Sequence, residues 1–387
     1  MEFSAKQARH ILINGLSIGS GGGYTVGREL LRHLAQARPD WVVTVALIAG
    51  VHLHKQMGEE SLPDNCRLHW APPSAKGRLA RWRYENSTMA RWATRNRVDV
   101  ILQLNGMVIP RMRIPTFSHF QDPWPYRPQA WAGLKDRLVA ASKRFEHARA
   151  LRQAAGVGWT SQYLRDLICG HHRWTPRRSE VLYNGVPEPW IRRACSGLPD
   201  WDSRAMELVT VSNVAAYKRQ DLVIRALPSI VRQTGAQDLK YRIVGDVSPD
   251  ERRRLTDLAK GLGVADYVMI EGRVSDQRVQ EAMKSARCFV LMSVCESFGI
   301  PAIEAMSFGT PVVTSDCCAM PEVCGDAAEL CPVDDVQGLA DRVARLMTEP
   351  ARAACLRERG VQRIQKFQWE TIGRKLAAGL QEIAQAR

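Results

Sequence analysis

Short apolar runs alternate along the chain with longer stretches whose apolar positions recur every three or four residues, and the alternation occurs twice. In the first half the runs are "HILINGLSI", "WVVTVALIA", "CRLHW", "VDVILQL", "PTFSHF" and "GVGWT"; in the second they are "ELVTVS", "YRIVG", "YVMI", "CFVLM", "PVVT" and "AELC". Such runs between amphipathic stretches predict strands joined by helices, the pattern of a parallel sheet built from strand-helix-strand units. Residues 184 to 206, "NGVPEPWIRRACSGLPDWDSRAM", follow neither period and are rich in Pro, Gly and Trp, so a domain boundary is expected there. The reading is α/β, with two doubly wound domains facing a cleft. The first covers 1–188, a linker 189–205, the second 206–368, and a last helix over 369–387 packs back on the first.

Length agrees, since 387 residues at ~150 per domain make two, each able to bury its own core. Hydrophobic residues at 45% and charged residues at 24% argue against disorder. The longest apolar run, Val42 to Val51, falls short of the ~18 residues a membrane span needs. Lys6 and Arg9 before "ILINGLSIG" imitate a signal peptide, but the run is short, broken by Asn14 and lacks a small-residue cleavage pattern, so it is read as the first strand. Ten cysteines contain no Cys-x-x-Cys, and several, such as Cys288 and Cys331, sit inside apolar runs, which points to the reducing cytosol. The net charge of +14, from 54 Lys and Arg against 40 Asp and Glu, predicts a negatively charged partner: nucleic acid, anionic lipid or a phosphorylated ligand.

The stretch "CESFGIPAIEAMSFGTPVV" narrows that choice. The run "CFVLM" ends at Met292, and "PAIEAMSFG" reads as a helix with Pro301 in its first turn and Gly309 after its end. Glu296 then lies in the loop at a strand's carboxyl end and Glu304 near the start of the helix. Backbone N–H groups around Phe298, Gly299 and Ile300, with the helix dipole, suit an anion such as a phosphate. Two carboxylates beside a phosphate repel it unless each is aimed at hydrogen-bond donors, and sugar hydroxyls are donors. A ligand of ribose, diphosphate and a second sugar satisfies the whole stretch. Taken singly, either glutamate could be a helix-end charge.

The run "CESFGIPAIEAMSFGTPVVTSDCCAMPEVCGDAAELCPVDD" resembles the C-terminal signature of family 4 retaining glycosyltransferases, a Glu, seven residues and a second Glu. The likeness extends back through "EGRVSDQRVQEAMKSARCFVLMSVCESFG" and "VSNVAAYKRQDLVIRAL" and forward to "FQWETI". It implies the GT-B fold, two Rossmann-like domains around a cleft, with the donor held by the C-terminal domain and the acceptor met by the N-terminal one. By the resemblance Glu304 binds ribose hydroxyls, Glu296 contacts the transferred sugar, and Lys218 neutralises the diphosphate leaving group. A cation there has a physical purpose, because breaking the anomeric bond puts new charge on the β-phosphate. Many members carry an Arg where this chain has Asn213; either Arg219 or another cation substitutes, or the leaving group is held less strongly. Val274 sits where a backbone group reads the base.

The first half is less distinctive. In "SIGSGGGYTVGREL" the glycines Gly21, Gly22 and Gly23 could let a phosphate or acceptor approach the backbone, but no dinucleotide fingerprint can be read, which counts against a dehydrogenase. In "FSHFQDPWPYRP" either His119 takes the role of the family histidine near the reacting sugar, or Gln121 and Asp122 occupy the family His-Asp positions. Asp200-x-Asp202, and His171 and His172 beside Cys169, lack convincing metal context, so no metal and no cofactor beyond the nucleotide-sugar substrate is expected. Stretches 76–97 and 135–152 mix Arg and Lys with Trp82 and Trp92, which fits either peripheral attachment to the inner face of a membrane or a pair of solvated basic helices. The implied activity is retaining, metal-independent transfer of a hexose, with mannose the guess, from a GDP- or UDP-linked donor to a glycan or lipid-linked acceptor in bacterial surface-polysaccharide assembly such as lipopolysaccharide. The alternatives are a UDP-sugar epimerase or hydrolase on the same fold and a non-enzymatic nucleic-acid-binding protein, the latter weakened by the lack of any nucleic-acid-binding signature.

Overall fold

Strands buried on both faces need nearly continuous apolar sequence, and the chain supplies it in two series. The computed structural model describes residues 9–17, 22–49 and 62–386. In the first series the strands are β1 His10–Asn14, β2 Val42–Ile48, β3 Cys66–Ala71, β4 Val100–Leu104, β5 Thr116–Phe120, β6 Gly156–Trp159 and β7 Ser179–Val181. They form one parallel sheet in the order β3-β2-β1-β4-β5-β6-β7. Six of these match runs read from the sequence. The seventh, "SEV", is a three-residue edge strand with two polar residues, too short and too polar for periodicity to mark.

The helices of this unit are α1 Gly22–Ala37, the short α2 Arg78–Tyr84 and α3 Ala90–Arg95, then α4 Leu134–Gln153 and α5 Gln162–His172. Leu12, Ala46, Met89, Ala93 and Ile101 pack into one cluster beneath α2 and α3. Phe120, Tyr126, Ala150, Trp159 and Leu164 pack into another beneath α4 and α5. β1 stops at Asn14, whose side chain turns inward, donating to Glu85 Oε1 at 2.8 Å and accepting from the Leu16 amide; Ile18, the end of the apolar run, lies outside the described residues. Burial raises the Glu85 carboxyl above its usual range, and the Asn14 amide partly offsets this.

The second unit repeats the plan with β8 Ala205–Val211, β9 Lys240–Val244, β10 Val268–Gly272, β11 Ala286–Leu291, β12 Val312–Ser315 and β13 Ala328–Cys331, all parallel, in the order β10-β9-β8-β11-β12-β13. Its helices are α6 Glu188–Ser196, α7 Gln220–Thr234, α8 Pro249–Gly261, α9 Asp276–Ser285, α10 Ile300–Ser307, α11 Met320–Cys324, α12 Val336–Thr348 and α13 Pro350–Ile364. Val223, Ile224 and Leu227 of α7 and Val343 of α12 close over Tyr241, Ile243, Val290 and Val313 of the sheet. Both units are thus Rossmann-like.

The first unit comprises the chain as far as Tyr126, then Leu134–Asn184, and the stretch from Trp369. That last stretch forms α14, Trp369–Gln385, which packs on α1. Arg127–Gly133 belongs to the second unit with Gly185–Gln368. Residues 189–205, read as a linker for want of periodicity, instead carry most of α6, nine residues started by Pro187 and Glu188 and too short to show a clear period.

Candidate active site

In each parallel sheet the strand order reverses once, between β1 and β4 in the first unit and between β8 and β11 in the second. Loops leaving the carboxyl ends of the strands on either side of such a reversal diverge and leave a crevice, the usual ligand site of an open α/β sheet. In the second unit these are the loops carrying Lys218 and Glu296.

The chain leaves β11 at Leu291 and re-enters helix at Ile300. Several hydrogen bonds hold the intervening loop. The Val294 amide donates to Tyr217 O at 2.9 Å, tying it to the loop after β8. Ser315 Oγ donates to Ser293 O at 2.8 Å and Arg127 Nε to Val294 O at 3.1 Å. The thiols of Cys317 and Cys318 reach the same two carbonyls at 3.4 and 3.2 Å. Glu296 is thereby held 8% exposed, and Lys218 Nζ donates to its Oε1 at 2.6 Å. Burial alone would depress the Lys218 ammonium, but Glu296, with Tyr217 and Cys295 adding to it, holds the pKa above the ordinary lysine value. The pair therefore places an ammonium, held protonated at neutral pH by its carboxylate partner, directly beside the sheet's switch point.

Gly299 begins α10 at φ +81°, and a Cβ there would lie 2.5 Å from Met320 Sδ, so both backbone and space demand glycine. Pro301 occupies the first turn as expected, and no side chain caps this amino end. Phe298 is fully buried, edge-on to Phe367 at 5.3 Å, and so anchors the loop from beneath. Ile300 and Glu304 are half-buried, one turn apart on the same side of α10. Asn213 is exposed in the loop after β8, its carbonyl held by Gln220 Nε2 at 3.1 Å. Arg219 takes a left-handed conformation and its guanidinium pairs with Asp334 at 3.0 Å and Asp221 at 3.5 Å. Val274 is half-buried in the loop after β10. These second-unit residues all lie in loops that follow the carboxyl ends of strands of one sheet or, for Ile300 and Glu304, in the helix α10 that follows.

The remaining candidates belong to the first unit. Gly22 and Gly23 open α1, a Cβ at Gly23 meeting nothing nearby, whereas Gly21 lies outside the described residues. His119 is 1% exposed in β5, and neither ring nitrogen makes a hydrogen bond. Burial drives its pKa down to about 4 against the opposing influence of the Gly158 backbone, so the ring is neutral. Gln121 is half-buried; Asp122 accepts from the Trp124 amide at 2.9 Å and from Lys143 Nζ at 2.7 Å, which fixes the turn after β5. Asp200 likewise accepts from the Asp202 amide at 3.2 Å, a turn contact. His172 and His147 converge on the Tyr126 hydroxyl at 2.8 and 3.0 Å.

Sequence reasoning did not anticipate the polar clamp of Ser293, Ser315, Tyr217 and Arg127, because it joins residues far apart in sequence. Gly245 was legible in principle, as a glycine closing a strand. At φ +143° a Cβ on it would sit 2.0 Å from Ser212 O, so the loops after β8 and β9 can run together only over glycine.

Two family models match: "Glycosyl transferases group 1" over residues 200–363 and "Glycosyltransferase Family 4" over residues 20–188. The D-inositol 3-phosphate glycosyltransferase of Rhodococcus opacus is 26% identical over 214 residues, 53% of this chain and 48% of that protein. The phosphatidyl-myo-inositol mannosyltransferase of Mycolicibacterium smegmatis is 32% identical over 163 residues, 41% and 40% of the two chains. The chain thus spans no more than about half the length of these curated relatives. Among solved structures, Anabaena Alr3699/HepE in complex with UDP and glucose superposes with a TM-score of 0.74 at 19% identity, covering 97% of this chain and all of the other. WaaG, a glycosyltransferase involved in lipopolysaccharide biosynthesis, superposes at 0.71 with 17% identity, covering 95% and 98%.

Proposed function

Because the chain belongs to glycosyltransferase family 4 and has its GT-B fold, we propose that it moves a hexosyl group from a nucleoside-diphosphate sugar to a glycan or lipid-linked acceptor, with retention of anomeric configuration and without a metal. The observation that carries this reading is the Lys218–Glu296 pair, 2.6 Å apart at the switch point of the second sheet. A diphosphate at the uncapped amino end of α10 would meet Lys218, whose ammonium offsets the charge that grows on the β-phosphate as the anomeric bond breaks. Glu296 keeps that ammonium charged and offers its second oxygen to a sugar hydroxyl. Glu304 takes the ribose hydroxyls, and the departing phosphate accepts the acceptor's proton as the new bond forms on the same face.

Mannose from a GDP donor is the assignment favoured by relatives named as mannosyltransferases, including the O-antigen chain mannosyltransferase B of Escherichia coli at 34% identity over 104 residues, about a quarter of each chain. Surface-polysaccharide assembly fits the same names. The structural relatives that hold UDP keep a UDP donor in the comparison.

Thermal-shift screening against GDP, UDP, ADP and their sugars tests the site, since a ligand bound only by the folded state raises its stability. The matching nucleotide is expected to raise the midpoint of wild type and of Glu296→Ala, and to lose most of that effect in Glu304→Ala. Product analysis then decides the reaction. Free sugar without a glycoside would show a hydrolase, and no stabilisation by any nucleotide would overturn the site.

A further inference from the structure

Helix α4 carries two apolar faces, and the fold of its unit uses one. Ala140, His147 and Leu151 lie on a single stripe, buried over the sheet. Leu134, Leu138 and Phe145 lie on a second stripe, about 140° round the helix from the first at ~100° per residue. They are 72%, 67% and 65% exposed. Alongside, α2 exposes Leu79 and Trp82, and Arg78 of α2 reaches Ser142 and Glu146 of α4 at 3.0 Å each. With Trp174, whose ring lies under Arg152 just beyond the end of α5, these make six of the eight large apolar side chains exposed among the described residues. Apolar surface concentrated in this way marks a face that something covers.

The charge on the face selects what covers it. The outward positions of α4 hold Lys135, Arg149 and Arg152, and α2, "RLARWRY", adds three arginines and no acid; Glu146 at the margin of the face is paired with Arg78 at 3.0 Å, so the face is net positive. A second copy of the chain would bring the same cations against them, whereas an anionic bilayer offers opposite charge over an apolar interior. Between α2, α3 and α4 lies a pocket of about 400 Å³ lined by Trp82, Asn86, Ala90, Pro110 and Met112 and by two arginines, Arg111 and Arg149, the latter also over the Phe145 ring at 5.1 Å. Apolar walls with two forked cations suit the phosphate of a lipid headgroup.

We propose that the outward face of α2 and α4 seats the protein on an anionic phospholipid surface, with Leu134, Leu138, Phe145, Leu79 and Trp82 entering the interface and a headgroup phosphate in the Arg111–Arg149 pocket. The seat is a property of the first unit and stands or falls apart from the transferase reading.

Co-sedimentation of the full chain with phosphatidylcholine vesicles, with and without phosphatidylglycerol, tests it. Binding is expected only to the phosphatidylglycerol vesicles and is expected to weaken as salt is raised. The variant Leu138→Ser/Phe145→Ser, changed only at exposed positions, is expected to lose at least about tenfold in affinity for these vesicles with an unaltered thermal midpoint. Arg111→Gln/Arg149→Gln is expected to lose the preference for phosphatidylglycerol. Equal binding to both vesicle types, no binding to either, or undiminished binding by the serine variant overturns the proposal. So does a dimer in size-exclusion chromatography that the serine variant dissolves, because a second copy then covers the face. Nucleotide stabilisation is measured on the same variants and is expected to be unchanged; its absence in wild type counts against the transferase reading alone.

Discussion

At the scale of single residues the site turns on one proton. Lys218 is enclosed, and only Glu296 and its neighbours keep its ammonium above the usual lysine pKa. Glu296→Gln preserves shape and a hydrogen-bond acceptor but removes the charge. Burial is the largest influence on this lysine and would then be opposed only by Tyr217 and Cys295, so the lysine is expected to titrate below its ordinary value. A raised pKa keeps the cation through neutral and mildly alkaline pH, so wild-type kcat should show no lysine-dependent fall below pH ~10. In Glu296→Gln an alkaline limb is expected to move down toward neutrality, and kcat at its plateau to fall by roughly 10²-fold, the usual size for losing one fixed group that stabilises developing charge. Nucleotide binding near pH 7 is expected to survive. A pH profile of the variant identical in shape to wild type would show that Glu296 does not govern Lys218. Both residues were legible from a motif, but their contact was not, since 78 positions separate them and only the sheet order brings their loops together.

Among elements, α10 matters most, and both its ends are specified. Glycine at +81° starts it, and Arg204, 5% exposed, closes it by donating to Phe308 O at 2.5 Å while also holding Thr310 Oγ1 at 2.8 Å and Ala286 O at 3.0 Å. Burial, reinforced by Arg357, pulls the Arg204 pKa down to about 10, and the carbonyls at the helix end compensate for that desolvation. Arg204→Met leaves those buried acceptors without partners and is expected to cost about 3 kcal/mol, which lowers the unfolding midpoint of this unit by roughly 10 °C in calorimetry. A midpoint within a degree of wild type would mean that water replaces the guanidinium. The helix itself could be read from the sequence, because Pro301 and Gly309 bracket an apolar stretch; its clamp could not, because Arg204 lay in a segment taken for linker. The same contrast holds across the fold. Twelve strands announced themselves as apolar runs, and β7 did not because an edge strand needs few apolar residues. Likewise α4 looked like a basic helix of ambiguous role, and only the burial of its other face shows that Leu134, Leu138 and Phe145 are surplus to the core.

For the molecule as a whole, the distribution of buried histidines makes the first unit the acid-sensitive one. His119 and His147 are 1% and 4% exposed. Burial pushes both down to about 4; for His147, Asp122 opposes the shift while Lys143 and His172 add to it. In the unfolded chain each titrates near 6.5, so below that pH the unfolded state binds protons that the native state refuses. Stability contributed by these rings is therefore complete above pH 6.5 and lost progressively down to about 4. Each ring can account for up to ~1.4 kcal/mol per pH unit once the unfolded imidazole is largely protonated, so the two together remove about 3 kcal/mol between pH 6.5 and 5. Glu85 works against this trend, because its raised pKa favours the native state on acidification. In the second unit Lys218 is shifted upward and stays charged throughout this range. Calorimetry from pH 8 to 5 is expected to show the unfolding of the first unit moving to lower temperature while the second holds. His119→Asn/His147→Asn, although less stable at pH 8, is expected to flatten that dependence, since the residues that refuse the protons are gone. If the variant loses stability with falling pH as steeply as wild type, the acid sensitivity comes from carboxylates, and the two histidines are accepting protons inside the fold.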